Sequence, residues 1–405
     1  MTTAILPRIS QERIMVSLSA VAAAYSIIAG LLLLAGYTNI LRQFYASSKI
    51  QEVDAPAPSS FPSLSILVPA RNEAESIERA LQSLLEQDYP DMEVLVIDDR
   101  STDGTGAIVD RLSEEYERLR TLHIEHLPDN WVGKTHALKR GYEETTGEWV
   151  LMTDADVEYD PGGLRRLVAV ALHETLDQMS CLPEVRTNGF LHEVAFDGWV
   201  SAAVGAQNLQ GVRDPDSDEY FALGAFNLVR RAVFDQTKGF SWLRMEIADD
   251  MGTAKMMRDE GARQGFFFAF EELSLEWYGS LGDMIAGLEK NGIAVLGHYS
   301  YLRGFLIPVG WLALLLGPLV GLVLPWAPVQ AFSAGVVLLS VPFPLLAAWR
   351  LERPASAFLL WFAGVTCTMY ALVRSTYACA RRGGVLWRGT LYPVETLREQ
   401  QRVKF

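Results

Sequence analysis

The chain has 405 residues, of which 50% are hydrophobic, and it carries a formal net charge of −14. This length allows one large domain or two modest ones, and the apolar share is high for a purely soluble protein. The acidic balance argues against nucleic acid as the main partner, because phosphate binding needs clustered lysine and arginine. The three cysteines, Cys181, Cys367 and Cys379, are far apart in the sequence. We therefore expect neither a disulfide framework nor a zinc site.

The first long apolar segment begins near the start of the chain. No charged residue lies between Arg13 and Arg42. This segment is long enough for a transmembrane helix, and neither its length nor the sequence after it fits a cleaved signal peptide. We expect a retained anchor over residues 14–41, preceded by an N-terminal tail over residues 1–13 and followed by a polar linker over residues 42–62.

A second apolar region lies in the last quarter of the chain. Residues 304–349 carry no charge and are about twice as long as one transmembrane helix requires. Pro325 and Pro328 in the middle predict a turn between two spans, and the apolar run from Pro354 to Val373 is a third candidate span. The expected organisation is about three transmembrane or re-entrant helices over residues 301–380 and a C-terminal tail over residues 381–405.

Between these regions, residues 63–300 alternate between strand and helix patterns. Short apolar strands are predicted at residues 64–69, 93–97 and 148–152, and amphipathic patterns with helical spacing follow the first two. Such alternation predicts an α/β domain with a mainly parallel sheet and right-handed crossovers. In open sheets of this kind, ligands bind beyond the carboxyl ends of the strands.

Acidic residues stand at this predicted ligand edge. Asp99 ends the second strand, and Asp154 and Asp156 follow the third. Because Asp154 and Asp156 are separated by one residue, they point the same way on an extended segment. Two carboxylates suit Mg²⁺ or Mn²⁺, which fill their remaining positions with water and substrate phosphates. The alternative is that each carboxylate only caps the following helix.

A second acidic pair, Asp249 and Asp250, comes before another amphipathic pattern. Adjacent carboxylates repel each other, so the pKa of one of them can be raised, which suits a general base. The alternative is that negative charge simply favours the N-terminus of the following helix.

Taken together, these residues resemble family 2 glycosyltransferases with the GT-A fold over about residues 63–300. The segments that carry the resemblance are Ser65–Glu73, Val96–Asp103, Asp154-Ala155-Asp156 and Asp249-Asp250. A narrower similarity is to membrane-bound bacterial hopene-associated and carotenoid (chlorobactene-type) glycosyltransferases. The segments that carry it are Asn130–Leu138, Lys290-Asn291-Gly292 and the trailing apolar spans.

The resemblance implies a role for each candidate site residue. The implied donor-binding residues are Pro69, Arg71, Glu73, Asp99, Lys134 and Asp154, with Asp99 accepting a hydrogen bond from the base, usually uracil. The implied metal ligand is Asp156, together with Asp154. The implied base is Asp250, with Asp249 beside it, and Gly224 is implied to bring backbone close to the sugar or acceptor. Lys134 could instead be a solvated loop lysine, and Gly224 a simple turn residue.

The resemblance also implies a reaction, namely inverting transfer of a sugar from a nucleotide-diphosphate donor, usually a UDP-sugar, to a hydroxyl of a membrane lipid such as a carotenoid or hopanoid. The Gln-x-x-Arg-Trp signature of processive synthases is missing, and residues 276–280 stand near its place, so we expect a single transfer. One alternative is transfer to a polyprenyl phosphate. Another is a membrane scaffold or lipid transporter, although the apolar tail lacks an intramembrane pair of acidic and basic residues to serve as a pathway.

The expected location is the bacterial inner membrane, with residues 63–300 in the cytosol, where nucleotide sugars are made. This arrangement places the N-terminus outside. Three later spans would place the C-terminus outside as well, whereas Arg381, Arg382 and Arg388 favour the inside. The sequence leaves this conflict open, since one segment could be re-entrant or interfacial. Residues 196–212 could be a further interfacial element or a buried helix.

Overall fold

The computed structural model describes residues 5–403, with side chains from residue 17 onwards. Residues 1–4 and 404–405, which belong to the expected tails, lie outside the described residues. The strands are β1 (Leu64–Ala70), β2 (Met92–Asp99), β3 (Leu119–Ile124), β4 (Trp149–Met152), β5 (Val157–Tyr159), β6 (Gln178–Arg186), β7 (Asn227–Arg230), β8 (Gln264–Glu276), β9 (Gly384–Trp387) and β10 (Thr390–Pro393).

The helices fall into those of the α/β region, residues 63–300, and those near the two apolar regions. The former are α2 (Ile77–Leu85), α3 (Thr105–Glu115), α4 (Gly133–Glu143), α5 (Gly163–His173), α6 (Phe190–Gly205), α7 (Leu209–Arg213), α8 (Arg231–Phe234), α9 (Asp249–Asp259) and α10 (Leu281–Asn291). The latter are α1 (Ile5–Ala46), α11 (Tyr301–Val323), α12 (Ala327–Leu339), α13 (Pro342–Arg350), α14 (Ala355–Phe358), α15 (Trp361–Arg382) and α16 (Val394–Gln400). A 3₁₀ turn at Ile50–Glu52 and a π-helical turn at Gly292–Leu296 complete the helical segments.

Eight strands form one mixed sheet in the order β3-β2-β1-β4-β7-β6-β8-β5. β1 pairs in parallel with both β2 and β4, and β2 pairs in parallel with β3. β7 and β5 pair antiparallel with their neighbours. The central strands are almost entirely buried, which is typical of a sheet covered by helices on both faces. The predicted α/β class with a mixed, mainly parallel sheet flanked by helices is confirmed.

The register of the parallel strands brings their polar ends to one edge. Ala70, the last residue of β1, is paired with Asp98 of β2. Met152, the last residue of β4, is paired with Leu67 of β1. The residues that follow these three strands therefore meet at the carboxyl edge of the sheet.

Three helical segments in the described part of the chain are long and apolar enough to cross a membrane. They are Ser17–Ala46, Tyr301–Val323 and Ala327–Arg350. The first two pack closely, because a Cβ on Gly317 would lie 2.2 Å from the Cβ of Ala29. The outward faces of the three segments expose large apolar side chains such as Leu31, Leu32, Leu306, Leu316 and Leu338. Exposed apolar surface of this extent fits contact with lipid.

The buried Arg350, at the end of α13, is hydrogen-bonded to the end of α1 and to the turn that follows it. Its guanidinium donates hydrogen bonds to the carbonyl oxygens of Phe44 (3.1 Å) and Ser47. It also donates to both carboxylate oxygens of Glu52, at 2.6 and 3.0 Å. Since a buried charge is stable only when its donors are paired, the ends of α1 and α13 are fixed side by side.

The third predicted span, Pro354–Val373, takes another course. It forms α14 and the first half of α15, and α15 packs along α6 and α10. A Cβ on Gly364 of α15 would lie 2.0 Å from the carbonyl oxygen of Val194 in α6. Near the other end of α15, the Ser375 hydroxyl accepts a hydrogen bond from the backbone N–H of Ile293 at 3.0 Å. One face of α15 is therefore buried against the α/β region.

The expected C-terminal tail forms regular structure over its described residues and folds back onto the α/β region. β9 and β10 form a hairpin, and α16 follows it. The backbone N–H groups of Arg402 and Val403 donate to the Glu246 carboxylate at 2.7 and 3.1 Å. Residues 384–403 therefore lie beside the acidic segment that ends in Asp249 and Asp250.

The close contact of α6 and α15 can be tested by a single methyl group. Gly364→Ala should lower the free energy of unfolding by about 1–3 kcal/mol, because the new methyl group overlaps the backbone of α6. Gly335→Ala is the matched control, since a Cβ there meets nothing within 4 Å. Thermal unfolding in detergent measures both, and equal midpoints for the two variants would contradict the close contact.

Candidate active site

One large cavity of about 1160 Å³ opens at the carboxyl edge of the sheet. All ten predicted site residues line it. They are Pro69, Arg71, Glu73, Asp99, Lys134, Asp154, Asp156, Gly224, Asp249 and Asp250. The structure thus brings together residues that are up to 181 positions apart, from Pro69 to Asp250. Their individual chemical roles stay predictions.

Hydrogen bonds of Thr153 hold the turn that follows β4 and contains Asp154 and Asp156, which we call the acidic turn. The Thr153 hydroxyl donates to the carbonyl oxygen of Ala225 at 2.7 Å and accepts from the Tyr159 hydroxyl at 2.9 Å. The Thr153 N–H donates to the carbonyl oxygen of Leu67 in β1 at 3.1 Å. These buried bonds fix the backbone from which Asp154 and Asp156 reach the cavity.

Lys134 joins the two acidic segments. It lies in the first turn of α4, and its ammonium is 2.7 Å from Asp154 Oδ1 and 3.5 Å from Asp249 Oδ2. Burial opposes its charge, but Asp154, Asp249 and Asp250 together outweigh burial and raise the pKa of Lys134 above its ordinary value. The ammonium therefore stays charged inside the cavity, which differs from the solvated loop lysine considered as the alternative.

The two carboxylates of the acidic turn titrate differently. Burial raises the pKa of Asp156 to about 7, and the neighbouring Asp154 and Glu73 add to this effect. Burial also acts on Asp154, but its ion pair with Lys134 outweighs burial and lowers its pKa. At neutral pH, Asp154 is therefore ionised, while Asp156 is close to its midpoint and would gain from a cation beside it.

The acidic turn supplies only two of the ligands that a divalent cation needs. No group of three or more histidine, cysteine, aspartate or glutamate side chains in the described chain could hold a metal. Asp154 and Asp156 supply two carboxylates, and 41% of the Asp154 side chain is open to the cavity. Mg²⁺ and Mn²⁺ accept such sparse protein ligation when phosphates and water fill the other positions. The residues present fit that chemistry.

Asp249 and Asp250 are the first two residues of α9, and both line the cavity. Asp250 accepts a hydrogen bond from the N–H of Met251 at 2.8 Å. Burial, with a further contribution from Asp249, raises the pKa of Asp250 to about 7. Burial also raises the pKa of Asp249, although Lys134 opposes it. A carboxylate with a pKa near neutrality is suited to accept a proton at physiological pH.

Asp99 lies at the other side of the cavity in a tight network. Arg100 donates to both of its carboxylate oxygens, at 2.7 and 2.9 Å, and Arg71 donates to its carbonyl oxygen at 3.3 Å. A Cβ on Gly133 would lie 2.3 Å from Asp99 Oδ2, so the start of α4 abuts this carboxylate. The Asp99 side chain is only 6% exposed, which fixes its orientation.

Gly224 lies against the central ion pair. A Cβ at this position would be 2.9 Å from both Asp154 Oδ2 and Lys134 Nζ. A side chain here would require one of these two charged side-chain ends to shift, so glycine lets the backbone of this loop lie close to the ion pair.

Beyond the charged groups the cavity continues between apolar side chains. Two of them, Trp199 and Trp277, have ring centroids 4.3 Å apart. This apolar arm is built by α6, α10, the π-helical turn, α15 and the end of β6, and its members include Leu182, Phe196, Trp199, Ala202, Ala203, Leu288, Val295, Leu296, Met369 and Leu372.

Sequence reasoning did not identify several residues that line the cavity from the C-terminal side. Arg388 forms an ion pair with Glu73, the Tyr392 hydroxyl accepts from the N–H of Gly133 at 3.3 Å, and the Lys290 ammonium lies 4.1 Å from the centre of the Trp387 ring. The available signal was the Trp387-Arg388-Gly389-Thr390 turn between two short apolar segments, which is typical of a hairpin. It predicts the hairpin but not its position.

Comparison with known proteins identifies the catalytic domain. Residues 65–266 match the family model described as Glycosyl transferase family 2, so the chain carries a domain of this family. A solved structure with the same fold is that of the mannosyltransferase PcManGT from Pyrobaculum calidifontis in complex with GDP-Man and Mn²⁺. It aligns with a TM-score of 0.53 and 20% sequence identity over 84% of this chain and 98% of that protein. The GT-A fold expected from the sequence is thus confirmed.

Two curated relatives have names that refer to a glycosylated lipid or to a lipid-linked sugar. The beta-monoglucosyldiacylglycerol synthase of Nostoc sp. is 29% identical over 201 residues, which cover 47% of this chain and 40% of that protein. The GalNAc(5)-diNAcBac-PP-undecaprenol beta-1,3-glucosyltransferase of Campylobacter jejuni is 31% identical over 110 residues, covering 27% of this chain and 35% of that protein. The chain thus spans well under half the length of the curated relatives that it matches.

The raised pKa of Asp156 predicts a stability gain on its removal. Its folded pKa of about 7 lies above the unfolded value of roughly 4, so stability decreases as pH rises between these values. Asp156→Asn should therefore raise the melting temperature by roughly 3 °C or more at pH 8, and the gain should shrink towards pH 5. The exposed Asp129→Asn is the control. A pH-independent difference between Asp156→Asn and the wild type would contradict the assignment.

Proposed function

We propose that this chain, which carries a glycosyltransferase family 2 domain, is an inverting, non-processive membrane glycosyltransferase that moves a sugar from a nucleotide-diphosphate donor to a hydroxyl of a membrane lipid. One observation carries the proposal. The same cavity contains the carboxylates around Lys134 and the apolar arm between α6, α10 and α15. Two of these helices lie against segments that are long and apolar enough to cross a membrane. A Cβ on Gly205 of α6 would lie 2.5 Å from a side-chain carbon of Ile40 in the first segment, and a Cβ on Gly304 of the second segment would lie 2.0 Å from the Thr376 hydroxyl of α15. A polar donor and an apolar acceptor could therefore meet in one cavity.

The donor side is assigned to the polar half of the cavity. Pro69, Arg71, Glu73 and Asp99 would bind the nucleoside, with Asp99 accepting from the base, and a UDP-sugar is the expected donor. Lys134 would face the diphosphate, because its ammonium is the charge held between the two acidic segments. The first-turn N–H groups of α4 add positive potential in the same place.

The metal is assigned to the acidic turn. Asp156 and Asp154 would hold Mg²⁺ or Mn²⁺, and the presence of Mn²⁺ with GDP-Man in PcManGT supports this assignment. When bound, such an ion supplies Lewis-acid neutralisation of the leaving diphosphate.

The chemical step is assigned to Asp250. Its carboxylate takes the proton from the acceptor hydroxyl while the hydroxyl oxygen attacks the anomeric carbon. The bond from that carbon to the diphosphate breaks on the opposite face, which inverts the configuration. Lys134 stabilises the charge that grows on the departing diphosphate. Asp249 lies beside this base, with its Oδ2 3.5 Å from the Lys134 ammonium.

The acceptor is assigned to the apolar arm. The two relatives whose names refer to a diacylglycerol and to an undecaprenol support a lipid or lipid-linked acceptor. A carotenoid or hopanoid hydroxyl is the narrower expectation from the sequence resemblance. Its hydrocarbon part would lie between α6 and α15, with its hydroxyl directed towards Asp250.

The proposed location is the bacterial inner membrane with the catalytic domain in the cytoplasm. Three crossings by the segments Ser17–Ala46, Tyr301–Val323 and Ala327–Arg350 place residues 47–300 and residues 351–403 on one side. This arrangement removes the conflict over the C-terminus, because α15 packs beside the catalytic region and the arginines near its end then lie inside, as the positive-inside rule favours.

Replacement of the base tests the mechanism. Asp250→Asn should lower turnover about 10²–10⁴-fold, while nucleoside-diphosphate binding is retained and the melting temperature is not lowered. The measurement is transfer of labelled sugar from UDP-glucose, UDP-galactose or GDP-mannose to an organic extract of bacterial lipids. Near-normal turnover would contradict the base assignment and favour a polyprenyl phosphate acceptor, whose phosphate needs no strong base.

The same assignment predicts a pH profile for the wild type. Asp250 acts as a base only when ionised, and its pKa is raised to about 7. kcat/KM should therefore fall about tenfold per pH unit below this value and level off above it. A flat profile between pH 5.5 and 8.5 would contradict the assignment.

A larger side chain in the apolar arm tests the proposed acceptor site. Ala203→Trp should raise the acceptor KM about tenfold or more, because it fills the space between α6 and α15, while donor affinity stays unchanged. Ala331→Trp, on the exposed side of α12, adds the same group away from the cavity and serves as control. An equal acceptor KM in both variants would remove the apolar arm from the acceptor site.

A further inference from the structure

The hairpin of β9 and β10 reaches the catalytic cavity from the end of the chain, although the matched family domain stops at residue 266. Leu386, Trp387, Arg388, Thr390 and Tyr392 all line the cavity. The hairpin follows α15 and so comes after every candidate membrane span in the described chain. One wall of the cavity is therefore built by residues that lie outside the matched family domain.

Three contacts hold this hairpin over the polar half of the cavity. The Tyr392 hydroxyl accepts from the N–H of Gly133 at the start of α4. The Trp387 ring lies on the ammonium of Lys290, whose nitrogen is 4.1 Å from the ring centre. The segment after the hairpin is bound through Glu246, which accepts two backbone N–H groups of that segment. The position of the turn between β9 and β10 is therefore fixed from three directions.

The turn itself consists of Arg388 and Gly389, since Trp387 is paired with Thr390. Both turn residues have positive φ angles, 48° for Arg388 and 78° for Gly389. Two-residue turns of this type favour asparagine, aspartate or glycine at the first position, and a left-handed arginine is strained by roughly 1 kcal/mol or more. Strain of this kind points to a function for the side chain rather than to a need of the turn.

The Arg388 side chain reaches the acidic end of the cavity. It forms an ion pair with Glu73, and 48% of it remains open to solvent in the cavity mouth. Glu73 and the two carboxylates of the acidic turn, Asp154 and Asp156, line the same cavity as Arg388. The guanidinium therefore faces the same acidic turn that fits a divalent cation and substrate phosphates.

We propose that Arg388 is a donor-binding residue that leaves Glu73 and forms charge-assisted hydrogen bonds with the diphosphate of the nucleotide sugar, so that the C-terminal hairpin closes the donor site. This inference rests on the proposed function. Guanidinium groups bind phosphate oxygens with two parallel hydrogen bonds. Glu73 loses its partner in this exchange. Burial raises the pKa of its carboxyl, so it can take up a proton instead of remaining an unpaired buried charge.

The test compares nucleotide and nucleoside binding by calorimetric titration of the full-length protein in detergent with Mn²⁺. UDP and GDP are titrated first into the wild type, and the one that binds is then compared with its nucleoside. Arg388→Gln should weaken binding of the nucleoside diphosphate about tenfold or more and leave binding of the nucleoside unchanged. The affinity of Arg388→Lys for the nucleoside diphosphate should lie between those of the wild type and Arg388→Gln. Arg381→Gln removes the same charge from an exposed position outside the cavity and should behave as wild type.

The outcomes separate the two proposals. Equal diphosphate affinity of Arg388→Gln and the wild type would overturn the role of Arg388 and leave the proposed function intact. Equal weakening for nucleoside and nucleoside diphosphate would also overturn it, because it would show that the variant only displaces the hairpin. If neither UDP nor GDP bound the wild type, the proposed function would fail, and this inference with it.

Discussion

The site depends on the compensation of buried negative charge around Lys134. Asp154, Asp156, Asp249 and Asp250 come from two distant parts of the chain and line one cavity. Carboxylates removed from bulk water strongly disfavour ionisation unless a cation is close. Lys134 provides that cation between Asp154 and Asp249, whereas Asp156 and Asp250 lie outside these two contacts and have pKa values raised to about 7. One ammonium thus separates Asp154, whose pKa is lowered, from Asp249, Asp156 and Asp250, whose pKa values are all raised.

This sorting matches the division of labour in the proposed reaction. The carboxylate that is poised near neutrality on α9 suits proton transfer, and the one after β4 gains most from a divalent cation. Gly224 fits the same constraint, because a side chain there would require the end of Lys134 or of Asp154 to shift. Charge compensation, backbone shape and proposed chemistry therefore follow from one contact network.

Much of the site could be predicted from the sequence because its signals are local. Asp99 and Asp154 follow apolar strands, and parallel strands bring their ends to one edge. The positions of Arg388 and Tyr392 could not be predicted, since they depend on the path of the chain through the helical bundle and back. Sequence hydrophobicity also made Pro354–Val373 a candidate span. It does not distinguish burial in lipid from burial against α6, where Gly198 and Gly364 allow close packing.

The central claim is that the carboxylate cavity and its apolar arm act together on a membrane lipid. The most direct test is mass spectrometry of total lipids from cells that produce the wild-type protein and from cells that produce the Asp250→Asn variant at equal levels. The account predicts a lipid species heavier by one sugar residue that is present with the wild type and absent with the variant, together with depletion of one unglycosylated lipid. Identical lipid profiles, with new sugar found only in water-soluble products, would contradict it.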